Sequence, residues 1–279
     1  MQVFTPTEIV VDDLTKPYEI HATGDWHLGA RGCAENRLRA TMERVGRKRN
    51  AIVLLMGDLG EFIIPSDNRF DPMAVCQDAK VEDLGDWADF LIDKIASVAR
   101  PLRGGSAGGP GKIIGALKGN HENTMSVKTH RNLGRAIADR LGCRYLGYSG
   151  LFTLIFVEKS TKKRAKLSVF ATHGAGNAAT PGGKMQRLKK YCDMVDSDLV
   201  LMGHLHDTMK VTSIRLRQTE EGIGNASQLG VMTGTYLRTY SEGEGGYGEM
   251  KGYQATPIGH ACITIIPATR EMAFSEVSL

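Results

Sequence analysis

Five short apolar segments, each ending abruptly at a turn or polar residue, constrain the fold of this chain more than any other feature. They are Tyr18–Thr23, Ala51–Met56, Lys112–Lys118, Leu167–Thr172 and Leu199–Met202. Continuous apolar runs of this length are typical of strands buried on both faces. The sequence therefore predicts a central sheet whose strands end at polar turns.

Helical patterns separate these segments. Apolar residues recur at helical spacing over Leu38–Val45, Val81–Val98, Leu133–Leu141 and Met185–Val195. Beyond residue 150 the strand-like segments mostly lack helices between them; these are Leu151–Val157, Val211–Gln218, Val231–Leu237 and Ala261–Ile266. Strands alternating with helices predict an α/β fold. The later strands predict a second, more antiparallel sheet, so we expect a four-layer αββα sandwich of two mixed β-sheets flanked by helices.

Residue types that bind metals stand at each of the five strand ends: Asp25 and His27, then Asp58, then Asn120 and His121, then His173, and finally His204 and His206. Ligands bind at the carboxyl ends of strands in open α/β sheets, and neighbouring glycines permit sharp turns there. Side chains two residues apart in an extended segment point the same way, so Asp25 and His27 could share one ion.

Each of these pieces has an ordinary explanation when taken alone. A Gly-Asp after a strand is usually a turn, and a single histidine such as His173 is more often a hydrogen-bonded loop residue than a ligand. The joint occurrence of all the pieces, in order and at strand ends, favours a metal site. Carboxylate, imidazole and amide donors without a thiolate suit Mn²⁺, Fe or Zn²⁺ in a catalytic site better than a structural zinc.

The order D-x-H, G-D, G-N-H-E, H-G, G-H-x-H resembles that of the calcineurin-like metallophosphoesterase superfamily. The motifs run from about Ile20 to Asp207, and the final GHLHD is similar to that of the DNA-repair exonuclease branch. Gly- and Tyr-rich C-terminal segments such as Thr233–Gly259 are also familiar from phage and prokaryotic members. The resemblance implies one metallophosphoesterase domain over residues 1–279, with 233–259 as a substrate-facing loop or an ordinary surface loop.

The resemblance also implies a role for each site residue and two divalent metal ions, with manganese favoured and iron or zinc as alternatives. One ion would be held by Asp25, His27, Asp58 and His206, and the other by Asp58, Asn120, His173 and His204. Asp58 would bridge the two ions, and a hydroxide between them would attack phosphorus. His121 would be the catalytic histidine that contacts the phosphate or protonates the leaving oxygen.

The substrate is less constrained than the chemistry. The net charge of +4 is mildly basic and permits an anionic substrate. Three basic clusters favour a phosphodiesterase or nuclease that acts on DNA: Arg44–Arg49, Lys162–Lys166 and Lys184–Lys190. Each cluster alone is typical of a solvated surface. Arg69 could contact phosphate or lie in solvent. The alternatives are a phosphatase or phosphodiesterase that acts on a small molecule or nucleotide, and a non-catalytic metal-binding scaffold.

Cysteine usage and hydropathy bear on location. The five cysteines are scattered and form no C-x-x-C pair, which favours a reducing cytoplasm over a disulfide framework. The N-terminal residues lack the pattern of a signal peptide, and the longest clean apolar run, Ala51–Met56, is too short to cross a bilayer. We therefore predict a cytoplasmic protein without a membrane partner, and leave a homo-oligomer open.

Overall fold

The structure is a computed structural model that describes residues 2–65, 67, 70–80, 83–104, 111–219, 222–240 and 247–278. Its strands are β1 (Gln2–Val3), β2 (Thr7–Val11), β3 (Tyr18–Thr23), β4 (Ala51–Leu55), β5 (Ile113–Ala116), β6 (Ser149–Glu158), β7 (Arg164–Thr172), β8 (Leu199–Met202), β9 (Thr208–Thr219), β10 (Gly222–Thr235), β11 (Gly259–Ile266) and β12 (Glu271–Val277). Its α-helices are α1 (Glu35–Arg47), α2 (Trp87–Ala99), α3 (Asn120–Thr129), α4 (Leu133–Leu141), α5 (Pro181–Met194) and α6 (Tyr247–Met250).

The strands form two sheets that meet along β10. In the first sheet β5, β4 and β3 are parallel neighbours, and β11 and β12 continue from β3 in antiparallel fashion. In the second sheet the order is β6, β7, β8, β10, β9, with β1 and β2 both parallel to β6. The end of β10 also pairs with β11, at Gly234 and His260, and so links the sheets. Both sheets are mixed, as predicted.

Three hydrophobic clusters define the layers. Between the sheets lies a cluster that includes Ile20 and Leu54 of the first sheet and Val169 and Leu201 of the second. The outer face of the first sheet is covered by α1, α2 and α4, and that of the second sheet by α5. The αββα sandwich expected from the sequence is confirmed. Burying a large aliphatic side chain contributes about 1.5–3 kcal/mol, so these clusters dominate stability.

The amphipathic helices follow their sequence patterns closely. In α1 the buried side chains are Leu38, Thr41, Met42 and Val45, which lie on one face at i, i+3, i+4 and i+7. The stripe predicted over Val81–Val98 becomes a helix only at Trp87; a 3₁₀ turn occupies Asp83–Asp86, and Val81 lies outside the described residues. The Gly-rich stretch at 105–110 also lies outside them.

Several elements differ from the expectation. In the second sheet the β7–β8 and β8–β10 pairs are parallel, because α5 returns the chain between β7 and β8 and the antiparallel strand β9 returns it between β8 and β10. Asn120 and His121 begin a helix, α3, where the sequence suggested only a turn after a strand. The strands β1, β2 and β12 were not predicted. Among the described residues, no helix is both long enough and apolar enough to cross a membrane.

Candidate metal centre

The structure brings all eight predicted site residues to one edge of the two sheets. They follow the carboxyl ends of five strands: Asp25 and His27 after β3, Asp58 after β4, Asn120 and His121 beyond β5, His173 after β7, and His204 and His206 after β8. Hydrogen bonds from Asp25 N to Gly57 O, 2.9 Å, and from His27 N to Asp58 O, 3.1 Å, join the first two turns. Strands from both sheets therefore contribute to one site.

Asp25, His27 and His206 form the first of two donor clusters, with their ligand atoms within 4.8 Å of one another. The Nε2 atoms of His27 and His206 lie 3.1 Å apart. Asp25 Oδ1 lies 3.3 Å from His206 Nε2 and, among the described residues, this buried oxygen has no hydrogen-bond partner. Buried polar atoms are normally satisfied, so an oxygen left in this state points to a cation as its partner.

Asp58, Asn120, His173 and His204 form the second cluster. His173 Nε2 lies 3.3 Å from Asp58 Oδ2 and 3.1 Å from Asn120 Oδ1. His204 contributes a ring nitrogen within 4.8 Å of the Asp58 and His173 donors. The amide oxygen, the carboxylate and the two imidazoles thus converge on one point.

Asp58 stands between the two clusters. Its carboxylate also groups with His27 and His121, and His121 Nε2 lies 4.0 Å from Asp58 Oδ2. Burial raises the pKa of Asp58, but the facing His173 and His121 outweigh burial and hold this pKa well below its usual range. Asp58 is therefore an ionised carboxylate placed where a ligand shared between two ions would lie.

The backbone at the site is strained. Five of the candidate metal ligands adopt the left-handed backbone conformation that usually favours glycine: Asp25 at φ 47°, His27 at 49°, Asp58 at 48°, His204 at 72° and His206 at 50°. The extended conformation expected for the D-x-H segment is wrong, although both side chains do reach one cluster. Each such residue costs about 1–3 kcal/mol, and strain of this kind concentrates at functional sites.

Two glycines allow the turns to approach each other. A Cβ added to Gly119 would lie 2.0 Å from Asp58 Oδ1, and one added to Gly57, at φ +89°, would lie 2.9 Å from His173 Nδ1. No side chain fits at either position without displacing a donor. The Gly-Asp and Gly-Asn-His motifs therefore both need glycine so that the two turns can approach each other, and Gly57 also needs it for its positive φ.

Backbone carbonyls determine which ring nitrogen each histidine presents to the site. His173 donates its Nδ1–H to Met56 O at 2.8 Å, so Nε2 is the ring nitrogen that faces Asp58 and that a cation would bind. His204 donates its Nε2–H to Gly176 O at 2.8 Å, so its Nδ1 is the ring nitrogen left to bind a cation. Such outward hydrogen bonds orient histidine ligands and increase their basicity.

Glu61 is a functional residue that the sequence analysis missed. Its Oε2 lies 2.7 Å from His27 Nδ1, and its Oε1 lies 2.7 Å from His121 Nδ1. Burial raises the pKa of Glu61, but His121 and His27 outweigh this effect and lower the pKa below its usual range. One ionised carboxylate therefore orients both a candidate ligand and the candidate catalytic histidine. Its only sequence signal is its place three residues after Asp58.

Glu122, the last letter of the GNHE motif, was also not assigned. It is buried, and its carboxylate accepts backbone N–H bonds from Asp58 at 3.0 Å, Leu59 at 2.7 Å and Gly119 at 2.9 Å. Burial and the Asp58 carboxylate raise the pKa of Glu122 to about 7. This side chain ties the turn after β4 to the start of α3, so the motif's glutamate is structural.

Six of the eight site residues line the floor of a cleft of about 760 Å³, all except Asp25 and His173. One wall is formed by residues 70–75, and the other includes Leu237–Thr239 and parts of 248–256. Part of the described portion of the Gly- and Tyr-rich segment therefore lines the cleft. Exposed Arg31 and Arg238, with buried Lys184, also line it. Arg69 and residues 241–246 lie outside the described residues.

Two of the three basic clusters lie at the end of the sheets opposite the cleft. Arg164 begins β7 and His173 follows its last residue, a separation of about 30 Å at roughly 3.3 Å per residue. Lys48 binds Glu19 at the start of β3, 2.6 Å from Oε1, rather than the end that carries Asp25. Only the third cluster reaches the cleft, through Lys184, which pairs with Asp207 at 2.9 Å.

The residues present fit a divalent cation. The donors are carboxylate oxygens, an amide oxygen and imidazole nitrogens, and three overlapping groups of them have ligand atoms within 4.8 Å. Such oxygen and nitrogen sets suit manganese, iron or zinc. Thiolates are absent from these three groups, which distinguishes them from structural zinc sites rich in cysteine.

A match to a known protein family agrees with this geometry. The model of the calcineurin-like phosphoesterase family matches residues 18–208. One similar solved structure is a conserved uncharacterized protein from Streptococcus pneumoniae TIGR4, described as a predicted phosphoesterase. The two sequences are 14% identical, and the match covers 95% of this chain and 99% of that chain with a TM-score of 0.32. A Vps29 double mutant from Entamoeba histolytica has 12% identity, coverage of 93% and 99%, and a TM-score of 0.38.

A metallophosphoesterase from Sphaerobacter thermophilus has 10% identity, coverage of 93% of this chain and 88% of that chain, and a TM-score of 0.35. No curated protein sequence matches the chain. The family match spans the D-x-H motif to GHLHD and thus the donors of both clusters. The chain belongs to the calcineurin-like phosphoesterase family.

Proposed function

We propose that this protein is a phosphodiesterase that uses two divalent cations to cleave DNA. One cation would be held by Asp25, His27, Asp58 and His206, and the other by Asp58, Asn120, His173 and His204. The observation that carries the proposal is the pair of adjacent donor clusters that share the ionised Asp58 carboxylate. Manganese is the favoured metal, with iron and zinc as alternatives.

When bound, a pair of such cations activates water as a nucleophile and neutralises charge on phosphate oxygens. The chain's own contribution lies in His121, whose Nδ1 is held by Glu61 at 2.7 Å. Nε2 of His121 therefore faces the cleft, 4.0 Å from Asp58 Oδ2, where it can donate a proton to the leaving oxygen. General acid catalysis of this kind contributes about 10²–10⁴-fold in rate.

A DNA substrate is supported by the two exposed arginines that line the cleft, Arg31 and Arg238. Guanidinium groups contact phosphates in a bidentate manner, and phosphates that neighbour the scissile one would lie near the cleft walls. The basic clusters at Arg44–Arg49 and Lys162–Lys166 do not contribute, because they lie at the opposite end of the sheets.

A small phosphoester, such as a nucleotide, is the second candidate. The cleft of about 760 Å³ lies within the usual range of roughly 300–1,000 Å³ for small-molecule sites. Its two walls would enclose a nucleotide-sized ligand. This candidate needs the same metal ligands and His121, but it does not require phosphate contacts beyond the cleft.

The experiment that decides between them is Mn²⁺-dependent cleavage of end-labelled single- and double-stranded DNA, beside a bis-aryl phosphate. A DNA phosphodiesterase shortens or nicks the DNA, and His121→Ala lowers this rate by about 10²-fold or more while metal still binds. Hydrolysis of the bis-aryl phosphate alone would move the substrate to a small phosphoester. Hydrolysis of neither would favour a non-catalytic scaffold.

Matched arginine variants sharpen the substrate question. The double change of Arg31 and Arg238 to alanine should lower DNA cleavage and leave bis-aryl phosphate hydrolysis intact. The salt slope of DNA binding should fall by roughly one for each arginine. Arg47→Ala is the control, because Arg47 is 83% exposed and belongs to the cluster at the opposite end of the sheets. Equal losses from both variants would contradict the proposed DNA contacts.

A further inference from the structure

A second group of metal-binding side chains lies outside the cleft, on the helix-covered face of the first sheet. Glu19 and His21 alternate along β3 with Ile20 and Ala22, whose side chains face the other sheet. Cys262 of β11 is the register partner of His21. The oxygen, nitrogen and sulfur donors of Glu19, His21 and Cys262 all lie within 4.8 Å of one another.

The distances between these three donors are close to those around a single bound metal ion. Cys262 Sγ lies 3.9 Å from His21 Nε2, and Glu19 Oε2 lies 2.7 Å from the same nitrogen. A tetrahedral zinc ion has bonds of about 2.3 Å to sulfur and about 2.0 Å to nitrogen or oxygen, which separates such donors by about 3.3–3.5 Å. When the cation binds, the distance from Sγ to His21 Nε2 must therefore shorten slightly. The distance from Glu19 Oε2 to His21 Nε2 must lengthen by roughly half an ångström.

Neighbouring groups hold His21 in the orientation that a ligand requires. His21 Nδ1 lies 2.9 Å from His260 Nε2, and His260 Nδ1 lies 2.9 Å from the Tyr236 hydroxyl. When His260 donates its Nδ1–H to the Tyr236 hydroxyl, its Nε2 presents a lone pair to His21. A neutral His260 can accept the Nδ1–H of His21, which turns the Nε2 lone pair toward Glu19 and Cys262.

The cluster is separate from the hydrolytic site. His21 precedes Asp25 by four residues along β3 and the following turn, or on the order of 13 Å at strand spacing. His21 is 1% exposed and Cys262 is 4% exposed, and neither lines the cleft. The clusters in the cleft include no cysteine, whereas this one includes Cys262. Sulfur, imidazole and carboxylate together are the donors that zinc-like cations prefer.

We propose that Glu19, His21 and Cys262 bind a third divalent cation of the zinc class, which clamps β3 to β11 beneath α1. Binding exchanges the thiol proton of Cys262 for the metal, and that proton leaves to solvent. The His21 proton moves from Nε2 to Nδ1 and is shared with His260. Thiolate and carboxylate together balance the divalent charge. Lys48, which is 40% exposed, lies 2.6 Å from Glu19 Oε1 and 2.7 Å from Oε2, so on metal binding it keeps Oε1 and gives up Oε2.

Cobalt(II) provides a direct test, because a bound thiolate produces a near-ultraviolet charge-transfer absorption that oxygen and nitrogen ligands do not. We expect this band in the native protein loaded with Co²⁺ and its loss in Cys262→Ser. Cys192→Ser is the matched control, because Cys192 is also buried but belongs to none of the donor groups found among the described residues. Absence of the band from the native protein, or its persistence in Cys262→Ser, would overturn the proposal.

A second variant covers the case in which Cys262→Ser fails to fold. Glu19 is 26% exposed, so Glu19→Gln should preserve the fold. We expect the Co²⁺ concentration at half-maximal charge-transfer absorption to rise at least tenfold. An unchanged value would remove Glu19 from the site. These readouts do not depend on hydrolysis, so their failure is distinguishable from failure of the proposed phosphodiesterase.

Discussion

Replacing Glu61 with glutamine tests how one carboxylate holds two histidines at once. Oε2 and Oε1 each lie 2.7 Å from a ring nitrogen, of His27 and His121 respectively. A glutamine side chain has one carbonyl oxygen, so it can accept from only one Nδ1–H. Its amide group must face the other ring, which then needs the opposite tautomer. The variant therefore disturbs either a candidate metal ligand or the candidate acid.

The two effects have different sizes and different readouts. Losing the partner of a metal-bound histidine typically lowers metal affinity by 10–100-fold, and losing a general acid lowers the rate by about 10²–10⁴-fold. We expect Glu61→Gln to lower kcat of bis-aryl phosphate hydrolysis by about 10²-fold at saturating Mn²⁺. The Mn²⁺ concentration at half-maximal rate should rise by about tenfold or more.

The double variant of Glu61→Gln with His121→Ala shows whether the pair acts as a unit. Because Glu61 acts on the proton donor through His121, kcat of the double variant should nearly equal that of His121→Ala alone. Glu271→Gln is the control, since Glu271 is exposed on β12. Full kcat and unchanged Mn²⁺ dependence in Glu61→Gln would refute the reasoning, as would multiplicative losses in the double variant.

Three further predictions follow from buried groups. Glu122→Ala should lower the free energy of unfolding by about 3 kcal/mol in urea denaturation, because three backbone N–H groups lose their acceptor. Gly119→Ala should weaken Mn²⁺ binding at least tenfold in calorimetry, because its Cβ would lie 2.0 Å from Asp58 Oδ1. The native protein should lose stability as pH falls below about 6.5, by up to about 1.4 kcal/mol per pH unit, because the lowered pKa of His260 leaves it unprotonated in the fold but not in the unfolded chain. His260→Gln should flatten this dependence in urea denaturation between pH 7.5 and pH 5.5, and an equal slope in both proteins would contradict it.

The order of the motifs was enough to predict the family and the αββα layers. Apolar runs such as Ala51–Met56 contain only buried residues, so hydropathy alone locates those strands. The residues that follow them, such as Asp58 and His173, were identified because ligands bind at the carboxyl ends of strands in α/β sheets. Helical periodicity likewise placed α1 and α4. These features depend on local pattern, which the sequence contains directly.

Tertiary structure decided what depends on contacts between distant residues. Glu61 and Glu122 look like ordinary surface glutamates in the sequence. Only the close approach of the turn after β4 to the turn after β3 and to the start of α3 places them against the histidines and backbone amides. The left-handed backbone of Asp25 and His27 results from hydrogen bonds to the turn after β4. The Lys162–Lys166 cluster was assigned to DNA on charge alone, and strand direction places it about 30 Å from the cleft. Local pattern specifies which residues are buried or exposed, whereas direction, register and the close approach of side chains emerge only when the elements pack together.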